Sequence, residues 1–307
     1  MMRRYNSFSQ YARQRFGGKK IYKVNVDAGF TCPNRDGTLG FGGCIYCNND
    51  SFRPGACKPA LPISQQIGNG IEYLKRRYGA ELFLAYFQPF TNTYAPVDVL
   101  EKYYREALEN PLVAGLAIGT RPDCVDSEKI ALLQELAQKS FVLVEYGLQS
   151  IYEKSLRFIN RGHDFERFLE AVRATSGGKV ETGAHIIAGF PTETREETLA
   201  MAETLAETGI RFLKIHQLQI VRGTRLERMF AEKPFHVFEY GEYVSFVADF
   251  LERLSPEIVI QRLFATAPDD ILIAPRWDSD RHKLLRDIES ELERRDSFQG
   301  RKYIFSK

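Results

Sequence analysis

No run of about 18 consecutive apolar residues occurs in the 307-residue chain, so no membrane-spanning helix is expected. An excess of one charge is also missing: 42 Lys+Arg face 40 Asp+Glu, a net of +2. That balance excludes a role as a chain-wide nucleic-acid coat, although a local basic patch remains open. No fixed-period repeat or low-complexity block is present. With 44% hydrophobic and 27% charged residues the chain has the composition of a packed globular protein, not a disordered one. The first eighteen residues lack the apolar centre of a secretory signal. They are Arg-rich and free of acids, as organelle transit peptides also are, but they run straight into the first motif, and a cytoplasmic protein is expected. Cysteine is scarce, with five residues: Cys32, Cys44, Cys47, Cys57 and Cys124. An odd number with three crowded together makes a poor disulfide framework and a good metal pattern for a reducing compartment.

What is present is an alternation of short apolar runs with amphipathic stretches. The runs at 21–26, 82–87, 113–118, 141–146, 182–187 and 212–217 read as strands. The stretches at 64–78, 97–108, 127–138, 165–175 and 196–208 read as helices, with Pro96 and Ser127 as plausible starts. Strand–helix alternation predicts a parallel sheet with helical crossovers. Six units fall short of the eight of a closed barrel. The expected fold is therefore α/β, a partial (β/α)6 TIM-like barrel with a C-terminal α+β extension; a flat doubly wound sheet is the alternative. The expected division is a basic N-terminal segment over 1–20, a core over 21–233 and an extension over 234–307. The extension reads as a helix at 237–254, a strand at 258–263 and a charged helix at 281–295. In either architecture, ligand groups belong at the carboxyl ends of the strands.

The strongest local signal is Cys32-Pro-Asn-Arg-Asp-Gly-Thr-Leu-Gly-Phe-Gly-Gly-Cys44-Ile-Tyr-Cys47, directly after the first strand. Three thiolates on one loop select a soft metal: zinc, copper(I) or iron–sulfur. A closed zinc site wants four ligands. No fourth stands at conventional spacing, since Cys57 is ten residues on and no histidine precedes His163. An iron–sulfur cubane with three protein cysteines leaves one iron open for a ligand. The glycines at 37, 40, 42 and 43 let backbone fold closely round a bulky cluster. A structural zinc loop remains the alternative. Cys57 and Cys124 read as inert thiols.

This loop resembles the cluster loop of the radical S-adenosylmethionine (SAM) superfamily, C-x3-C-x2-C with an aromatic before the last cysteine. Tyr46 holds the aromatic position, while the first spacing is eleven residues instead of three. Later segments resemble further motifs of that superfamily in the right order. Gln88-Pro-Phe-Thr91-Asn-Thr-Tyr94 stands where the family grips the amino group of SAM, without its glycines and acid. Gly119-Thr120-Arg-Pro-Asp123 is similar to a segment of the Elongator catalytic subunit group. Glu145-Tyr-Gly-Leu-Gln149-Ser with Arg161-Gly-His163 is similar to a pattern shared by that group and the oxygen-independent coproporphyrinogen oxidases. Gly189-Phe-Pro191 resembles the turn that passes beneath the adenine. The whole chain resembles the YhcC-like family, in its Asp27-Ala-Gly-Phe-Thr-Cys32-Pro-Asn-Arg-Asp-Gly37 run and in its ending, Glu293-Arg-Arg-Asp-Ser297 with Gln299-Gly300.

The resemblance implies a 4Fe–4S cluster on Cys32, Cys44 and Cys47. It implies SAM contacts at Tyr46, Gln88, Thr91, Thr120, Glu145, Gln149, Arg161 and Gly189, with Arg161 at the carboxylate. It implies an enzyme that reductively cleaves SAM to a 5′-deoxyadenosyl radical, with an electron from a flavodoxin- or ferredoxin-type donor, and abstracts hydrogen from a substrate. Tyr94, His185 and His216 are candidates for a later proton or radical step. The substrate clue is the N-terminal 26 residues: seven bases, no acid, and Tyr5, Phe8, Tyr11, Phe16 and Tyr22 interleaved. Bases with aromatics suit RNA phosphates and unstacked bases, and the Elongator group modifies tRNA wobble uridines, so tRNA is a candidate substrate. The competing reading is a basic helix capping the barrel with its aromatics turned inward. The alternatives are an RNA-binding protein with a structural zinc, or a radical SAM enzyme of a small metabolite or peptide.

Overall fold

The computed structural model describes residues 3–48, 61–277 and 280–304. Cys57 lies outside the described residues. All six expected strands form: β1 (Ile21–Val26), β2 (Leu82–Phe87), β3 (Val113–Thr120), β4 (Phe141–Gln149), β5 (Glu181–Ala188) and β6 (Phe212–Gln217). Each pairs in parallel with the next. The helices between them are α2 (Ile63–Tyr78), α3 (Val97–Leu108), α4 (Ser127–Leu136), α6 (Phe165–Thr175) and α7 (Arg195–Ala206). Their starts follow cap chemistry. Asp126 and Asp164 accept backbone N–H bonds at the heads of α4 and α6, and Thr194 with Glu197 forms a capping box on α7.

Two further helices escaped the periodicity because each is short. One, α5 (Glu153–Phe158), lies between β4 and α6; the other, α8 (Arg225–Glu232), follows β7 (Ile220–Val221). After α9 (Tyr240–Arg253) comes β8 (Val259–Arg262), then β9 (Leu272–Ala274), which pairs antiparallel with β7, then α10 (Arg281–Arg294). The expected boundary near residue 233 does not interrupt the sheet. β8 pairs in parallel with β6 and becomes its seventh strand, in the order β1-β2-β3-β4-β5-β6-β8. A partial barrel, not a flat sheet, is what forms. Lys23 on β1 donates to Glu145 on β4 at 2.6 Å and to Gln261 on β8, contacts that require the sheet to curl until its first and last strands face one another.

Strand residues alternate in direction, and the two directions carry different chemistry. Outward residues such as Val24, Phe83, Phe87, Leu116, Ile118, Val142, Val144, Ile186, Leu213 and Ile215 share one apolar core with the flanking helices. Inward residues form layers. The lowest, at the amino ends of the strands, is apolar: Leu84, Phe141, Leu143, Phe212 and Val259. Next comes a charged layer built on Lys23, Tyr86, Glu145, His185 and Lys214. On β3 the inward positions are Gly115, Ala117 and Gly119, which leave the interior room; a Cβ on Gly115 would stand 2.0 Å from the Phe141 carbonyl oxygen.

The N-terminal segment settles one expectation. Helix α1 (Phe8–Arg15) seals the amino end of the barrel, and Phe8, Tyr11 and Phe16 pack on the apolar layer. Tyr11 lies edge-on to Phe212 with ring centroids 5.0 Å apart, and Phe16 edge-on to Phe141 at 5.6 Å. Tyr5 is buried and Tyr22 stacks on Tyr78. These rings are occupied by packing, so the aromatic half of the RNA argument falls. Just before α1, Ser7 bridges Ile260 and the Asn6 carbonyl accepts from Ile260 N–H at 2.7 Å, which ties the seal to β8.

Candidate active site

The cysteine loop leaves β1 and folds back over the carboxyl ends of the strands. Arg35 N–H closes a turn on the Cys32 carbonyl at 2.8 Å, and Cys47 N–H another on that of Cys44 at 2.9 Å. Gly37 takes φ +95° beneath the Phe41 ring, where a Cβ would approach to 2.7 Å. The loop is anchored from outside. Ile45 N–H donates to Ile159 at 3.0 Å, Leu226 N–H to Ile45 at 2.9 Å, and the Asn160 amide to the Gly43 carbonyl at 3.1 Å. The Asn160-Arg161-Gly162 segment thus serves the loop as much as any ligand.

Cys44 is buried, with Cys32 and Cys47 partly so. The Arg161 guanidinium stands 3.5 Å from the Cys44 sulfur, and the Asn34 amide lies 3.7 Å from it. Burial, reinforced by the Cys44 charge, raises the Cys47 thiol, and Arg35 beside it opposes the rise. Arg161 and the Asn34 amide thus face the Cys44 sulfur and Arg35 lies beside Cys47, donors that would suit these sulfurs as ligands of a metal centre. Cys124 is a buried thiol pushed up to about 12 by burial and by Asp123, consistent with an inert role.

Beneath the loop lies a cavity of about 220 Å³. All three loop cysteines border it, as do Tyr46, Gln88, Thr91, Thr120, Glu145, Gln149 and Arg161. Of the residues expected to hold the cluster or SAM, only Gly189 does not. Its φ of +93° and the Phe238 ring 2.9 Å from a would-be Cβ explain the glycine by packing. Thr91 N–H donates to the Thr31 carbonyl at 3.2 Å, and the Thr120 hydroxyl lies 2.6 Å from that of Thr93. Gln149 holds φ +76°, and its Oε1 is buried without a partner among the described residues. Gly147 is required beside it: a Cβ there would meet Arg161 Nη2 at 2.7 Å and Gln149 Nε2 at 2.8 Å.

Glu145 differs from the expectation. Its Oε1 accepts from Lys23 at 2.6 Å and its Oε2 from Lys214, so both oxygens are held by ammoniums. Burial alone would raise its carboxyl, but Lys214 and then Lys23 hold it well below the usual range. Lys214 also donates to the Tyr86 hydroxyl at 2.6 Å. His185 and His216 face each other with Nε2 of the first 2.8 Å from Nδ1 of the second. Burial pushes His185 down to about 3, and His216 down as well, so both are neutral near pH 7. Tyr94 is elsewhere, its hydroxyl 2.7 Å from Thr38 in an exposed pair.

The sequence reading missed Arg35, Phe90, Arg121 and Arg262, all on the cavity wall. Phe90 has φ +64°, unusual for a bulky residue and invisible in composition. Arg121 is fully buried against Asp123 at 2.7 Å, and its Nη1 has no partner among the described residues.

Among the described residues, no group of three or more His, Cys, Asp or Glu closes round a single metal ion, and no helix is long and apolar enough to cross a membrane. Three soft thiolates with N–H donors at the sulfur, and a buried unpaired Gln149 oxygen in the adjoining cavity, suit a cluster with a polar ligand beside it.

Comparison with known proteins agrees with this geometry. Residues 32–205 match the Radical SAM superfamily model and residues 210–294 the Radical_SAM C-terminal domain model. The chain is 33% identical to the uncharacterized protein YtqA of Bacillus subtilis (strain 168), over 97% of this chain and 92% of that one. It is 35% identical to protein YhcC of Escherichia coli (strain K12), over 90% and 88%. A tRNA uridine(34) acetyltransferase of Dehalococcoides mccartyi (strain CBDB1) is 26% identical over 62% of this chain but only 41% of its own length. Among solved structures, archaeal Methanocaldococcus infernus Elp3 superposes with a TM-score of 0.70 at 17% identity, covering 92% of this chain and 64% of that one. The cysteine loop, the curled parallel sheet and the family match over more than half the chain agree: the protein is an enzyme of the radical SAM superfamily.

Proposed function

We propose that Cys32, Cys44 and Cys47 hold a 4Fe–4S cluster and that SAM occupies the cavity beneath it. The observation that carries this reading is the shared cavity: three thiolates of one loop open onto the same space as Gln149, Thr120 and Arg161. A cluster held by Cys32, Cys44 and Cys47, with SAM beside it, would supply 5′-deoxyadenosyl-radical chemistry for hydrogen abstraction from a substrate, given one electron from an external flavodoxin- or ferredoxin-type donor. The chain's own residues bind, orient and seal. Arg161 steadies the Cys44 sulfur and offers positive charge to a carboxylate. The unpaired Gln149 Oε1 accepts from an ammonium, and Gln88 and Thr91 add polar edges. Tyr46 walls the cavity beside the cysteines. Glu145 contributes indirectly, by holding Lys214 and Lys23 in place. The Gly189 turn supports the rim. Helix α1 closes the far end of the barrel against water.

The organisation that goes with this reading is a sealing segment over 1–20, a core over 21–233 and an extension over 234–307 that supplies the seventh strand. A cytoplasmic location fits oxygen-sensitive chemistry and free thiols. As substrate we favour tRNA, on the partial similarity to a tRNA uridine(34) acetyltransferase. A direct test of the cluster is iron and acid-labile sulfide per chain after anaerobic reconstitution. About four of each, lost in C32A, C44A and C47A, supports the reading; one zinc and no sulfide supports the structural-zinc alternative. For the substrate, tRNA nucleosides from cells lacking the protein are compared with wild type; unchanged nucleosides would direct the search to a small metabolite or peptide.

A further inference from the structure

The charged layer at the floor of the cavity does not balance. Lys23, Lys214 and Arg262 supply three cations, and among the described residues Glu145 is the one carboxylate beside them, with each of its oxygens already taken by a lysine. Arg262 lies on β8, in register with Lys214 on β6. It borders the cavity and is half-buried, and among the described residues it forms no ion pair or hydrogen bond. Its charge is felt by its neighbours on every side: it disfavours protonation of Lys23 on β1, of His185 on β5, and of Lys214 and His216 on β6, and it favours the phenolate of Tyr86 on β2. A half-buried guanidinium set among ammoniums, with no anion of its own among the described residues, is poorly compensated by them alone.

A second group points the same way. His216 borders the same cavity, and its Nε2 is buried without a partner among the described residues. Its Nδ1 is engaged by His185 Nε2 at 2.8 Å. With the proton of that bond on His185, His216 carries its own proton on Nε2 and becomes a neutral donor. Arg262 and His216 then offer a planar cation and an N–H to the same space, the donor set that an oxyanion needs.

We infer that Arg262, assisted by His216 Nε2–H, is a binding site for an oxyanionic group of the substrate, a carboxylate or a phosphate. This inference rests on the radical SAM reading for the word substrate. The site is distinct from the place proposed for the SAM carboxylate, which Arg161 serves beside Cys44. The fold gives a reason for the placement. The seventh strand comes from the C-terminal extension, so the extension delivers a recognition group to the floor of a cavity whose roof is the cysteine loop.

The test uses the reconstituted full chain with acetate and inorganic phosphate as probes, at constant ionic strength held with chloride. The wild type should melt about 2–4 °C higher at an anion concentration tenfold above the dissociation constant, saturably. The rise should persist with SAM present. It should vanish in Arg262→Gln, return in part in Arg262→Lys, and shrink in His216→Phe. Without anion, Arg262→Gln should melt no lower than wild type, because it removes an uncompensated cation; a purely structural arginine would show a loss. A response to acetate alone points to a carboxylate on the substrate, and to phosphate alone to a phosphate. The inference is overturned if neither anion acts, if Arg262→Gln responds as wild type does, or if SAM abolishes the response. These readouts do not depend on SAM cleavage, so failure of the radical SAM reading would show separately, as absence of iron.

Discussion

Replacing Glu145 by Gln would remove the carboxylate that the buried Lys214 and the partly buried Lys23 share. The geometry is nearly unchanged, but Lys23 and Lys214 then face each other and Arg262 with no anion. Breaking a buried pair by removing one partner costs about 3–5 kcal/mol. Melting temperature moves by about 2–4 °C per kcal/mol in chains of 150–250 residues and somewhat less in a longer one, so a fall on the order of 5–15 °C at pH 7 is expected. The pH dependence identifies the cause. Burial depresses both lysines in the folded protein, and Glu145 opposes that depression. A depressed pKa contributes stability that is complete above the unfolded value and is lost as pH falls through the folded one. Without Glu145 the folded lysines drop further, so at pH 7 each must stay neutral at a cost or be buried charged. Raising the pH toward the ordinary lysine value of about 10.4 relieves about 1.4 kcal/mol per unit for each neutralised lysine. The deficit of Glu145→Gln should therefore shrink steadily between about pH 7 and 9.5. Adding Lys214→Met should recover about half of it at pH 7, since removing both partners is far less costly than removing one. Thermal denaturation followed by circular dichroism across that range decides. A deficit under about 2 °C at pH 7, or one that does not change with pH, would refute the account of this layer.

Other consequences are as specific. Gly115→Ala puts a methyl 2.0 Å from the Phe141 carbonyl oxygen inside a paired strand, which backbone cannot absorb; the variant should be largely insoluble, as sedimentation of expressed protein would show. Gly147→Ala crowds Arg161 and Gln149 at 2.7 and 2.8 Å. Iron content should be kept while SAM affinity in equilibrium dialysis falls about tenfold, the loss of roughly one charged hydrogen bond. The double substitution Phe8→Ala with Tyr11→Ala uncovers Phe212 and Phe141 at the barrel end. It should lower the urea-unfolding free energy by about 2–4 kcal/mol, since both rings are partly buried and each falls short of the roughly 1.5–3 of a fully buried side chain, without changing RNA retention on a filter.

The strand–helix rhythm was legible because the outward faces of six strands pack on helices and must be apolar, and such runs stand out between amphipathic helices. The cysteine loop was legible because its chemistry is local: three thiols within sixteen positions cannot hide. What was not legible is what the sheet's curl brings together. Glu145 reads as a ligand for SAM until Lys23, 122 positions away, and Lys214, 69 away, reach it across the barrel. The strand at 259–262 was visible, but its insertion beside β6 was not, because four residues carry no sign of which edge they join. Arg262, on that strand, was overlooked for the same reason. The N-terminal aromatics could not by themselves point to or away from RNA, because a helix that plugs a barrel and a helix that stacks on bases share one composition. Gly189 was expected beneath a ligand, and its positive φ is real, but Phe238 occupies the space a side chain would need.

The central claim is that three cysteines of one loop make SAM a source of radicals in the cavity below. The protein would be reconstituted with iron and sulfide without oxygen, mixed with SAM and a strong reductant, and 5′-deoxyadenosine measured by chromatography. The account predicts production by the wild type and by Cys124→Ala, whose thiol does not border the cavity, and none by Cys32→Ala, Cys44→Ala or Cys47→Ala. Absence of 5′-deoxyadenosine from a wild type that carries zinc, or iron content unaltered in Cys44→Ala, would contradict it.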